Sequence, residues 1–278
     1  MTETTQSEEV REVAAAPELT SHVWHGLLDS EQAAADLAGS ALLSPAERNR
    51  ARQLGEGTCE LYIASHVATR RVLASYLGTD PAGIRLGRRL CPECGDPSHG
   101  PPAIVWPRTA LAYSLTASSG HWVLAVTEDN QIGVDLEANP TGDPEQAAPL
   151  ALTAAELAHM RGLADPAIRR AAFLRCWTRK EAVVKAVGVG LVADLRGIET
   201  DPARLAPVAV HFGVRGGPYD WIVQDLPLGP GCHAALARQA PARGPVRLYE
   251  YSLRALPGPP APGQSPFLTQ IVSWPTEK

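Results

Sequence analysis

Lysine is scarce in this chain. Only Lys180, Lys185 and Lys278 occur among 278 residues, against 22 arginines, so two of the three fall within Trp177 to Val187, WTRKEAVVKAV. A guanidinium is a wide planar fork and an ammonium a compact point charge, so a segment that keeps lysine where the chain otherwise uses arginine points to a place for the smaller cation. Also absent is any run of 18 apolar residues, which argues against a membrane-spanning helix. The opening MTETTQSEEVREV lacks the basic start and apolar core of a secretory signal. A cytoplasmic location with no membrane partner is therefore expected. Five cysteines, Cys59, Cys91, Cys94, Cys176 and Cys232, are odd in number and scattered, which fits reduced thiols better than a disulfide framework. A net charge of −5 argues against a general nucleic-acid binder.

What is present is enough to build a globular core. The chain is 45% hydrophobic, and its length allows one large domain or two modest ones. Positive charge is local: between Arg48 and Leu90 stand eight arginines against three acids, which makes an anion site plausible there. Residues 1–18 are acidic and 255–278 proline-rich, so both are expected to be tails, the first disordered. Ser44-Pro45-Ala46-Glu47 has the cap and first-turn proline of a helix start, and Cys59 to Leu77 carries a helical stripe closed by Gly78. Arg85 to Pro107 reads as loop. LAYSLTA alternates as a strand, and WVLAVT and IGVDLE are expected to pair as a hairpin about Glu128 to Gln131. Helices are expected at 153–163 and 167–187, and strands at 208–214, 219–226, 232–238 and 246–253. The expected fold class is α+β: two similar halves, 19–129 and 130–254, each a long helix on a small, mostly antiparallel sheet, with a cleft between them.

In QIGVDLE the strand period places Ile132, Val134 and Leu136 on one face and Gly133, Asp135 and Glu137 on the other. Two carboxylates side by side repel unless a hard cation is shared between them; an acidic face in water is the alternative. Gly133 is expected to let a ligand approach the backbone. On the later helix Phe173, Cys176, Trp177, Val183, Val184 and Val187 form the core stripe. Glu181 and Lys185, four apart, lie beside it, and Lys180 falls inside it, where a charge needs a partner or must extend its stem outward. Cys91-x-x-Cys94 with His99 has zinc-ligand chemistry but no fourth ligand to close a structural site, so a plain loop is expected. His66 is read as a satisfied core or cleft histidine.

An IGVDLE strand followed some forty residues later by FLRCWTRKEAVVKAVGVGL resembles the signature of the surfactin-type (Sfp-like) 4'-phosphopantetheinyl transferases. Supporting similarity runs from about Leu42 through Leu195. The resemblance implies an enzyme whose two halves bind coenzyme A and Mg2+ in their cleft. It would move the phosphopantetheine arm to a serine of an apo acyl or peptidyl carrier protein and release adenosine 3',5'-bisphosphate, and a monomer would suffice. It further implies that Asp135, Glu137 and Glu181 hold Mg2+, that Glu181 takes the serine proton, and that Lys185 holds the pyrophosphate; Lys180, seated in the apolar arc, is expected to act through its stem, reaching toward the cleft to bind the cofactor. Arg48 and Arg50 would lie near the 3'-phosphate, with Arg70 or Arg71 assisting. Relatives often carry a Ser-His-Ser or Ser-His-Thr element on a coenzyme A phosphate. This chain reads SLTASSGHW, so Thr116 or Ser118 stands in, and His121 is a misplaced substitute. Two other readings use the same acids: a metal-dependent phosphohydrolase on a coenzyme A-like substrate, and a non-enzymatic carrier-binding module. Service in polyketide or nonribosomal peptide synthesis is expected by analogy.

Overall fold

The computed structural model describes residues 20–256 apart from 30, 129–130, 141–142, 191–192, 215–216, 218 and 243. The expected acidic tail, and the proline-rich one from 257 on, lie outside the described residues. Leu256, placed in that tail by the sequence, packs against the first hydrophobic core.

The first half holds β1 (Ser21–Leu27), α1 (Glu31–Ala38), α2 (Pro45–Arg52), α3 (Glu56–Leu77), β2 (Arg85–Arg88), β3 (Pro102–Trp106), β4 (Leu111–Ser118) and β5 (His121–Glu128). The second holds β6 (Ile132–Ala138), α4 (Pro144–Ala151), α5 (Ala154–Gly162), α6 (Pro166–Val187), β7 (Val208–His211), β8 (Asp220–Asp225) and β9 (Cys232–Gln239), and β10 (Val246–Glu250) follows in sequence. The local signals act as expected. Ser44 and Glu47 form a reciprocal capping box at the start of α2. The two long helices, α3 and α6, are 22 residues each and stop at Gly78 and Gly188, whose φ of 59° and 84° suit glycine.

One sheet has the order β10-β1-β5-β4 and the other β6-β9-β8-β7. All their pairings are antiparallel except that of β10 with β1. Three expectations need correction. β5 and β6 do not form a hairpin, because both edges of β5 are taken by β1 and β4, and β6 starts the second sheet. The segment from Arg85 to Pro107 is not all loop: β2 and β3 pair antiparallel and enclose the loop at 89–101. β10, assigned by sequence to the second half, crosses back to lie beside β1.

α3 covers one face of the first sheet, burying Val72, Leu73 and Tyr76 against Tyr113, Leu124 and Val126. α6 covers the second, burying Val183, Val187 and their neighbours against Trp221, Val223 and Ala235. A middle cluster joins the sheets, with Val23, Val123 and Ala125 facing Val134, Leu136 and Leu236. Val134 and Leu236 are sealed from solvent, and each such side chain contributes about 1.5–3 kcal/mol.

Edges β4 and β6 meet at this joint without a backbone ladder. Ser114 Oγ accepts from Val134 N at 3.1 Å and Ser118 Oγ from Ala138 N at 3.2 Å. The equal sequence offset makes the two strands parallel. The hydroxyls satisfy N–H groups that an unpaired edge would leave buried without partners.

Candidate active site

The joint between the halves assembles the acidic motif. α6 lies so close on β6 that a Cβ on Gly133 would stand 2.5 Å from Ala186 N and closer still to the Ala182 carbonyl oxygen. The space at Gly133 is therefore filled by the helix, and the expectation that a ligand uses it is corrected. Close packing of this kind holds the next residues on that face of β6, Asp135 and Glu137, against the helix face that carries Glu181 and Lys185.

Lys185 Nζ lies 2.6 Å from Asp135 Oδ1 and 3.1 Å from Thr116 Oγ1. Thr116 Oγ1 is in turn 3.4 Å from Asp135 Oδ1. Glu137 accepts from Trp177 Nε1 at 3.2 Å and from Ser118 Oγ at 3.4 Å. Sequence reasoning placed Trp177 in the core stripe and missed this contact, although Trp177 stands one helical turn before Glu181. Burial first, then Asp135, raises the pKa of Glu137 above the ordinary glutamate value, against the hydrogen bonds from Trp177 and Ser118 and the charge of Lys185. Burial first, then Asp135, raises that of Glu181, with Lys185 opposing and Glu137 adding. Three acids thus crowd one partly dry site with a single ammonium among them.

The donor set suits a hard divalent cation: carboxylate oxygens only, with Asp135 Oδ2 buried and without a hydrogen-bond partner. Asp135, Glu137 and Glu181 thus offer the donor chemistry that Mg2+ takes, although their carboxylate oxygens do not all lie within 4.8 Å of one another and Lys185 stands on Asp135. Beside them opens a cavity of about 400 Å³ whose lining includes Ser118, Glu137, Arg170, Phe173 and Trp177.

Other residues named from the sequence lie elsewhere. Lys180 is fully buried, 2.5 Å from the equally buried Glu156, and donates to the carbonyls of Ala151 and Leu195. Its stem does not reach the cleft, so its assignment to cofactor binding is corrected: a charge inside the apolar arc found a buried partner instead. Arg70, 3% exposed, binds Glu47 at 2.5 Å and the Ile84 carbonyl at 2.8 Å, and Arg71 pairs with Asp36. Both are committed within the first half, which corrects their assignment to the ligand. Arg48 donates to the Leu43 carbonyl, and Arg50 is exposed on α2. His121 stacks on His25 and contacts Cys232. His66 stacks on Tyr62 and bonds the Tyr62 carbonyl oxygen at 2.9 Å, the satisfied histidine expected.

The family model described as 4'-phosphopantetheinyl transferase superfamily matches residues 131–237, which span the acidic strand and the helix with both lysines. The chain is similar to the 4'-phosphopantetheinyl transferase HetI of Nostoc sp. (strain PCC 7120), 31% identical over 226 residues that cover 78% of this chain and 86% of HetI.

Proposed function

Since the chain belongs to the 4'-phosphopantetheinyl transferase superfamily, we propose that the joint between its two halves is the transfer site and that it works in the surfactin-type (Sfp-like) manner. The enzyme moves the 4'-phosphopantetheine arm of coenzyme A onto a serine hydroxyl of a carrier protein. Adenosine 3',5'-bisphosphate leaves. The observation that carries the reading is the grouping of Lys185 with Asp135 and Thr116, one helical turn from Glu181.

The serine oxygen forms a new bond to the phosphorus that bears the pantetheine arm. The bond from that phosphorus to the bridging oxygen breaks, and its electron pair leaves with the adenosine 3',5'-bisphosphate. Mg2+ bound by Asp135, Glu137 and Glu181 would supply the positive charge that such a phosphoryl transfer needs. Glu181, its pKa raised by burial and by Asp135, is a stronger base than an exposed glutamate and accepts the serine proton. Lys185 neutralises the pyrophosphate and holds it against β4, where Thr116 and Ser118 offer hydroxyls. Arg48 and Arg50 lie toward the 3'-phosphate.

The cavity beside Glu137 suits the pantetheine arm, whose methylenes and amides match walls made of Phe173 and Trp177 beside Ser118 and Arg170. One chain supplies both sides of the joint, so the reading includes a monomer. It also includes a cytoplasmic enzyme serving acyl or peptidyl carriers of polyketide or nonribosomal peptide synthesis. Among the described residues no helix is long and apolar enough to cross a membrane. The test is intact-mass analysis of an apo carrier protein incubated with coenzyme A, Mg2+ and the enzyme. A gain of one phosphopantetheinyl group is expected. Hydrolysis of coenzyme A with an unchanged carrier would overturn the reading.

A further inference from the structure

A second cluster of metal-binding side chains lies in the loop between β2 and β3. The ligand atoms of Cys91, Cys94 and His99 lie within 4.8 Å of one another, the one such group of three His, Cys, Asp or Glu residues among the described residues. Cys94 Sγ stands 3.2 Å from His99 Nε2. The backbone is wound around the first sulfur. Gly95 N donates to the Cys91 carbonyl at 2.8 Å, Cys91 N donates to the Asp96 carbonyl at 3.0 Å, and Gly95 has a φ of 76°.

The loop has little else to order it. Residues 92–98 are all exposed and contain neither helix nor strand, so apolar burial contributes almost nothing to their shape. Yet its end touches the second half. A Cβ on Gly188 would meet Pro101 Cδ at 2.5 Å, and one on Gly190 would lie 3.7 Å from His99 Nδ1. Both glycines belong to the turn that ends α6.

We propose that Cys91, Cys94 and His99 bind one Zn2+, with solvent in the fourth position, and that this ion fixes the shape of the loop that packs on the turn ending the helix of Glu181 and Lys185. Two sulfurs and an imidazole select a soft or borderline cation and reject Mg2+. Each coordinating thiol gives its proton to solvent as the sulfur–zinc bond forms, so no oxidant or reductant is needed. The site is separate from the acids, and it stands whether or not the proposed transfer mechanism does. Sequence spacing pointed to a plain loop because no fourth ligand follows; the hydrogen bonds that shape the turn are the added observation.

Titration of reduced, metal-stripped full-length protein with Co2+ is the test. One equivalent is expected to give thiolate-to-cobalt charge-transfer absorption that Zn2+ bleaches. Cys91→Ser and Cys94→Ser should each abolish it, and Cys232→Ala, which removes the sulfur beside His121, should leave it intact. Absence of the absorption in the reduced wild-type protein would overturn the proposal, as would its persistence in either serine variant or its loss in Cys232→Ala. Should a serine variant fail to fold, alkylation of the wild-type protein read by peptide mass decides. Zn2+ must protect Cys91 and Cys94 together and leave Cys59 and Cys232 as reactive as before; unprotected Cys91 and Cys94, or a disulfide between them, refutes the site.

Discussion

Lys185 Nζ sits 2.6 Å from Asp135 on β6 and 3.1 Å from Thr116 on β4, so one ammonium on α6 ties together the edge strands of both sheets. An Arg fork in this space would collide with the threonine or take both oxygens of Asp135. Lys185→Arg is expected to lower kcat/KM by about 10²-fold although charge is conserved, and Lys185→Ala by more. Steady-state kinetics with coenzyme A and carrier varied separately checks this, and a fully active Lys185→Arg would show that the choice of lysine is accidental.

The sequence alone has Lys180 reaching toward the cleft. Its burial reverses that expectation. Glu156 receives Lys180 at 2.5 Å, Thr153 N at 2.9 Å, and the Thr200 amide and hydroxyl at 2.8 and 2.7 Å. Breaking the pair leaves a buried charge without its partner, at a cost of about 3–5 kcal/mol. Urea unfolding of Lys180→Met should show a loss of this order, and Lys180→Arg should also destabilise because the sealed site has no room for the fork. Wild-type stability in either variant would contradict the pairing.

Gly133→Ala tests how the site is assembled. The added methyl group would meet the α6 backbone at Ala182 and Ala186, and backbone cannot move aside as a side-chain tip can. A stability loss of about 1–3 kcal/mol is expected, together with a fall in kcat larger than the loss of folded protein explains, because Glu181 and Lys185 move with the helix. Thermal unfolding and kinetics on the folded fraction separate the two effects. Unchanged kcat would mean that the acids do not depend on this contact.

Much of this was legible in the sequence where the signal is local. Ser44 and Glu47 announce their helix, Gly78 ends one, and the spacing from Asp135 to Lys185 carries the motif. What was not legible depends on partners distant in the chain. Nothing within IGVDLE says that β5 already has two neighbours, or that Val246–Glu250 will cross back to β1. Gly133 reads in sequence as room for a ligand, and only the fold shows that α6 fills that space. Lys180 and Lys185 look alike in sequence, and Glu156 and Asp135 decide their fates from outside the helix.

Two histidines on β1 set an acid limit on stability. Burial lowers the pKa of His22 to about 4, aided by Arg247, and that of His25 to about 4, aided by His121. Between pH 6.5, the ordinary value, and 4 the unfolded chain binds protons that the folded chain refuses, so their contribution is present above 6.5 and lost as pH falls. Asp36, raised to about 6 chiefly by burial, works in the opposite direction over part of this window. His25→Gln is therefore expected to flatten the fall in stability between pH 6.5 and 4.5, measured by urea unfolding at both values. An equally steep fall in the variant would remove His25 as a cause.

The most direct test of the central claim, that Asp135, Glu137 and Glu181 hold Mg2+ at the transfer site, is the rate of apo carrier conversion by intact mass in a Mg2+ titration of Asp135→Ala, Glu137→Ala and Glu181→Ala. Each variant should keep the wild-type circular dichroism spectrum and lose transfer by orders of magnitude, with any residual rate shifted to higher Mg2+. Near-normal turnover of folded Asp135→Ala at low Mg2+ would contradict the account.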